Sequence, residues 1–167
     1  MSKAFLRETD FDDLPPLRPT TLCLPPGVKN YITSEGADRL RSELDTLSME
    51  TRPPIAAKAL NDAELRRELQ AIDQRIRHLQ ESLRSAEIVT PIPSSDVVRF
   101  GSTVKVRDRT GEVSRYRFVG VDETDLERGC VSWRSPLARA LLNARAGDTV
   151  EVTTPAGTKH LTLISIE

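Results

Sequence analysis

Leu65, Leu69, Ile72, Ile76, Leu79, Leu83 and Ala86 recur at alternating spacings of four and three. At 3.6 residues per turn that interval holds all seven on one side of an α-helix. A strand cannot use such a pattern, because its side chains alternate between faces. Sustained over three repeats, the stripe is a heptad seam that a second helix must cover. Between the seam positions lie Arg66, Arg67, Glu68, Asp73, Arg75, Arg77 and Glu81, which suit solvated flanks. Asn61, with Glu64 three residues later, matches a capping box and sets the expected start of this helix.

The covering helix is expected just upstream. Thr33 is a good N-cap, and Glu35 places negative charge in the first turn. Ile32 and Ala37 sit where a hydrophobic staple would, and Leu40, Leu44 and Leu47 continue one apolar face. Pro53-Pro54 removes two N–H donors and is expected to bend or locally break the helix before Ile55, Ala59 and Leu60 resume the apolar side. Two helices of about 28 and 26 residues joined near Asn61 predict an antiparallel hairpin, a coiled coil roughly 40 Å long. Eleven acids and nine bases between Thr33 and Glu87 leave it almost neutral. With only one seam to bury, it should project from something else.

The chain therefore divides into four parts. Residues 1–30 carry Pro15, Pro16, Pro19, Pro25 and Pro26 and the acids Asp10, Asp12 and Asp13, and read as a disordered or extended arm. Phe5, Leu6, Phe11 and Leu14 in that arm either dock on a partner or belong to a solvated tail. Residues 31–89 form the hairpin, and 90–95, Thr-Pro-Ile-Pro-Ser-Ser, are the linker. In 96–167 short strands alternate with turns: Val104–Val106, Tyr116–Val119, Val131–Trp133, Val150–Val152 and Leu161–Ile164, with turns at Arg109–Gly111 and Pro155–Gly157. Ser135 as N-cap and Pro136 at the first position open one short helix with apolar face Leu137, Ala140, Leu141 and Ala144, which Gly147 should end. The fold class is α+β, a helical hairpin followed by a small β-rich domain.

Composition limits the function classes. With 24 basic and 25 acidic residues the net charge is −1, which supplies no global field for DNA or an anionic membrane. Cys23 and Cys130 are isolated, and with only His78 and His160 there is no metal-ligand spacing. His78 flanks the seam and reads as structural. No Ser/His/Asp or Cys/His constellation is present, and neither glycine-rich stretch precedes a helix as a phosphate cradle must. No signal peptide or apolar run of membrane-spanning length is visible, so the expectation is a soluble cytoplasmic protein without a small-molecule ligand.

Tyr31-Ile32-Thr33-Ser34-Glu35-Gly36, then Leu40 and Glu43-Leu44, resembles the opening of the Gre transcript-cleavage factors. Ile72–Leu79 is similar to their second helix, closest to the GreB branch. Phe118-Val119-Gly120-Val121-Asp122-Glu123 looks like a further Gre block. Ser132, Ser135 to Leu142, Gly147-Asp148 and Thr154-Pro155-Ala156-Gly157 resemble the family's C-terminal signature in order and spacing. The resemblance implies an FKBP-like carboxy domain that grips RNA polymerase at the mouth of its secondary channel, through Trp133, Ser135, Pro136, Leu137 and Arg139. It implies no prolyl isomerase, since that chemistry belongs to a site and not to a fold. The hairpin would enter the channel, where tip acids help hold a Mg²⁺ shared with the polymerase active site while backtracked RNA is cleaved. No stably bound cofactor is implied, and the chain itself would not be an enzyme.

The tip departs from that family. Asp62-Ala63-Glu64-Leu65 aligns with the end of the family motif, which leaves both metal-binding acids missing. Between Pro54 and Ile72 the chain is about a dozen residues shorter than GreB, which removes roughly 9 Å of reach. Asp62 and Glu64 therefore read either as a residual catalytic and metal-binding pair or as residues serving the start of the second helix. Arg66 and Arg67 either contact nascent RNA phosphate or are solvated. Trp133 is either a surface anchor or core. At the level of function the alternatives are a cleavage-stimulating elongation factor, a non-cleaving occupant of the channel that competes with true Gre factors, and an adaptor for another helical partner.

Overall fold

The computed structural model describes residues 24–92 and 95–167. Most of the proline-rich arm, with Phe5, Leu6, Phe11, Leu14 and Cys23, lies outside the described residues, as do Pro93 and Ser94 of the linker. Strand β1 (Asn30–Ile32) leads into α1 (Ser34–Thr46), a π-helical turn (Leu47–Thr51) and α2 (Arg52–Lys58). Helix α3 (Ala63–Ser85) returns, and β2 (Ala86–Ile88) follows at once. The remaining elements are β3 (Thr103–Asp108), β4 (Val113–Val119), a 3-10 turn (Val121–Glu123), β5 (Cys130–Ser132), α4 (Pro136–Leu141), β6 (Thr149–Thr154) and β7 (Gly157–Ile166). The result is a mixed α+β protein in which two helical arms stand on a five-stranded sheet.

The arms run in opposite directions. Arg75 bonds Glu43 through both carboxylate oxygens, at 2.7 and 2.9 Å, and Arg52 bonds Asp73 at 2.7 Å further out. Every seam residue is buried or half-buried, as the heptad spacing requires, and burial fades outward. Leu79 is fully buried with Ile32, Ala37 and Leu40, and Leu44, Leu47 and Leu83 pack against that cluster. Leu65 and Leu69 are only half-buried. Thr33 caps α1 by accepting the Gly36 N–H at 3.0 Å, and Ile32 and Ala37 join the same cluster as the staple predicts.

Four local expectations are corrected. The cap of α3 is Asp62 and not Asn61: its carboxylate accepts the N–H groups of Glu64 (2.8 Å) and Leu65 (3.3 Å). Pro53-Pro54 does not break the arm. The prolines occupy the first turn of α2, and the preceding turn widens so that the Arg52 N–H reaches the Leu47 carbonyl. Ala86, the last seam position, has already left the helix and begins β2, which pairs in parallel with β1 (Asn30 with Ala86, Ile32 with Ile88). Helix α4 stops at Leu141, before Gly147. Asn143 takes a left-handed conformation (φ 68°), a role that asparagine tolerates well. Gly147, also left-handed, instead ties the turn into β6 to β7 through the Leu163 carbonyl at 2.7 Å.

The sheet runs β5-β4-β3-β7-β6, with β4 and β5 parallel and the other pairs antiparallel. A bulge between Lys105 and Val106 adds local twist to β3. One face buries Val104, Val106, Phe118, Val131 and Leu163 under Ala138 and Leu141 of α4. With few aromatics, aliphatic residues fill this core around the fully buried Phe118. Among the described residues no helix is long and apolar enough to cross a membrane.

Candidate functional site

Three surfaces carry the candidate residues: the far end of the helical arms, the face around α4, and the junction between arms and sheet. At the far end Ala59 is buried while Leu60 is 81% exposed. Asp62, Glu64, Arg66 and Arg67 are all exposed. One oxygen of Asp62 is committed to two backbone N–H groups, which would otherwise be orphans of the first helical turn. Glu64 lies in that same turn, where its charge favours the helix N-terminus. Among the described residues no group of three or more His, Cys, Asp or Glu could hold a metal. A chelating magnesium site needs several converging oxygens, so these two carboxylates do not fit one of the chain's own.

Around α4 the five predicted contact residues divide. Ser135 turns inward and caps the helix by accepting the Ala138 N–H at 3.1 Å. Leu137 packs against the sheet core. Pro136 and Arg139 face outward. Trp133 is half-buried, with its ring edge-on to Tyr31 at a centroid distance of 5.3 Å. Its indole N–H is buried and makes no hydrogen bond among the described residues. Trp133 thus sits where β1 of the arms meets the sheet, beside Tyr31, which also touches Phe100.

The junction is the part that sequence reasoning missed. Asp122 receives His78 Nε2 at 2.7 Å and the Ser82 hydroxyl, so His78 has the structural role expected of it and reaches across to the sheet. Glu123, 3% exposed, accepts the Thr33 N–H at 3.0 Å, the Gly120 N–H at 2.8 Å and the Thr33 hydroxyl. Buried Asn30 donates to the Ser82 carbonyl at 3.1 Å, fixing β1 against α3. Arg117 of β4 bonds Glu35 at 2.7 Å along the edge of a cleft of about 240 Å³. The available signal was short polar patterns, Thr33-x-x-Gly36 and Gly120-x-x-Glu123, but neither is periodic and they lie far apart in the chain.

Comparison with known proteins agrees with the resemblance. Residues 93–167 match the model for "Transcription elongation factor, GreA/GreB, C-term". The chain is 40% identical to transcription elongation factor GreB of Xanthomonas axonopodis over 159 residues, covering 86% of this chain and 95% of that protein. It is also 40% identical to GreB of Pseudomonas aeruginosa, covering 81% and 89%, and 38% identical to GreA of Paracoccus denitrificans, covering 81% and 95%. The 159 aligned positions exceed the 86% of this 167-residue chain that enters the alignment, so the Xanthomonas relative has residues within the matched region that lack a counterpart here. Among solved structures, the GreA/GreB factor of Nitrosomonas europaea aligns with a TM-score of 0.39 at 27% identity, covering 83% of this chain and 98% of that one. The chain belongs to the GreA/GreB family of transcription elongation factors.

Proposed function

We propose that this protein binds RNA polymerase at its secondary channel and regulates elongation from there as a cytoplasmic accessory factor. Residues 96–167 act as an FKBP-like grip on the channel mouth, and the coiled-coil hairpin within 31–89 enters. The observation that carries this reading is the family relationship over both parts of the chain, with the specific match on 93–167. Pro136 and Arg139 are the outward members of the contact set, and Trp133, Ser135 and Leu137 shape the face beneath them. Arg66 and Arg67 project near the tip, where nascent RNA would offer phosphate. The factor is not itself an enzyme; any RNA hydrolysis is the polymerase's own. The test is affinity for core polymerase. Pro136→Ala and Arg139→Glu should weaken it while leaving the melting temperature unchanged, and undiminished affinity in both variants would move the contact elsewhere.

A specific observation favours the non-cleaving form of this function. Of the two carboxylates offered to the polymerase metals, Asp62 already gives one oxygen to the cap of α3 and Glu64 lies in the same first turn. The protein should therefore leave backtracked complexes uncleaved and slow cleavage by a full-length Gre factor that needs the same channel. Rapid transcript shortening by wild type but not by Asp62→Asn/Glu64→Gln would establish those residues as metal ligands instead.

A further inference from the structure

We infer that Glu123 is a positioning residue that fixes the direction in which the helical arms leave the sheet, and that Gly36 exists to admit its carboxyl group. The inference rests on the polymerase-binding reading for its purpose, though not for its geometry. Glu123 lies in the turn after β4 and is almost wholly buried, yet all its named partners are polar. Two of them, the Thr33 N–H and hydroxyl, belong to the residue that starts α1; the third, the Gly120 N–H, belongs to the sheet domain. Thr33 in turn accepts the Gly36 N–H at 3.0 Å. One side chain thus joins the first turn of a helix to a strand end ninety residues away in sequence. A carboxyl group that is 3% exposed and has its hydrogen bonds satisfied defines one geometry, because any rotation of the arm would break those bonds.

The glycines make the fit specific. A Cβ added at Gly36 would fall inside the Glu123 carboxyl group. A Cβ at Gly120 would lie 2.5 Å from the Tyr31 carbonyl oxygen and 2.8 Å from Glu123 Oε2. Gly36 sits in the first turn of a helix without the left-handed backbone that usually calls for glycine, so its own conformation gives no reason for it. Thr33, Gly36, Gly120 and Glu123 therefore form one unit. Asp122, holding His78 and Ser82 of α3, is a second attachment one residue away and braces the other arm.

The inference predicts a change of sign. In the parent, Gly36→Ala should lower the melting temperature by several degrees, because the methyl and the Glu123 carboxyl group compete for one volume. In a Glu123→Ala background the same change should raise it, because alanine is the better helix former once the space is empty. Spin labels at Leu60→Cys and Lys159→Cys, with Cys23→Ser and Cys130→Ala, read the direction of the arms. Their distance distribution should be narrow in the parent, broad in Glu123→Ala and in the double variant, and largely restored by Glu123→Gln, which keeps the shape and an acceptor oxygen. At saturating protein, Glu123→Ala should lose its effect on elongation on the order of tenfold while its polymerase affinity stays near that of the parent, since misplacement rather than lost contact is at fault. Equal cost of Gly36→Ala in both backgrounds, an unchanged distance distribution in Glu123→Ala, or a full elongation effect in that variant would each overturn the inference. The label and melting measurements need no polymerase, so a parent that fails to bind polymerase would defeat the proposed function and leave the positioning geometry tested on its own.

Discussion

The two ends of the helical arms are built from one seam but held by different means. At the base, Leu79, Leu40 and Ile32 are at most 2% exposed, and the buried Glu123 and partly buried Asp122 of the sheet domain reach in to grip Thr33, His78 and Ser82. At the far end Leu65 and Leu69 are only partly buried, Leu60 is exposed, and one aspartate caps the helix. A pair of helices covers only one stripe of each partner, so it cannot build a dry interior unaided. The projection is therefore anchored chiefly at its base. Where the third layer ends, the seam maintains register and little more.

Truncations along the seam test that gradient most strongly. Leu79→Ala should cost about 2–5 kcal/mol, as for a fully buried leucine, and Leu65→Ala less than about 2 kcal/mol, since that side chain is only partly buried. Urea unfolding measures both, and equal costs would erase the contrast between base and tip. A smaller effect is expected from the cap. Asp62→Ala should destabilise by about 0.5–2 kcal/mol and speed amide exchange at Glu64 and Leu65. Asp62→Asn keeps an acceptor oxygen and should change exchange little, which separates the cap from the charge. The smallest effect lies at the β3–β4 turn. There the Thr110 hydroxyl, followed by the backbone N–H of Glu112, holds the Asp108 carboxyl below its ordinary pKa. That stabilisation is present above the ordinary carboxylate pKa of about 4 and is lost as pH falls through the lowered value. Asp108→Asn should accordingly differ from the parent near neutral pH and converge with it in acid, as followed by thermal melts.

What could be read from the residues was whatever repeats or whatever acts locally. The spacing of α3, the Thr33 and Ser135 caps and the turn at Arg109–Gly111 each depend on neighbours within a few positions, and each takes its expected form. The choice of Asp62 over Asn61 as cap was one residue beyond that resolution, because both side chains can accept the same N–H groups. The parallel pairing of β1 with β2 was invisible, since three residues carry no alternation and the partner strand continues an apolar helix face. Glu123 was hidden for a further reason. A polar residue in a turn looks solvated, and only the arrival of Thr33 from far along the chain makes it core.

The widened turn at Leu47–Thr51 has a consequence for phase. From Leu47 to Ala59 an unbroken α-helix would advance about 1200°, leaving Ala59 some 120° from Leu47 and about 60° beyond the edge of the stripe that Leu40, Leu44 and Leu47 define. One residue absorbed in a π turn takes back about 100° of rotation, which returns Ala59 to within about 20° of Leu47 and onto that stripe. Ala59 is buried, as this realignment requires. The arm thus carries one surplus residue that adjusts azimuth rather than length. Deleting Ser48 should convert the turn to ordinary α-helix with Ile55 and Ala59 still facing α3, whereas deleting a residue from the regular stretch of α1 would swing everything beyond it out of alignment.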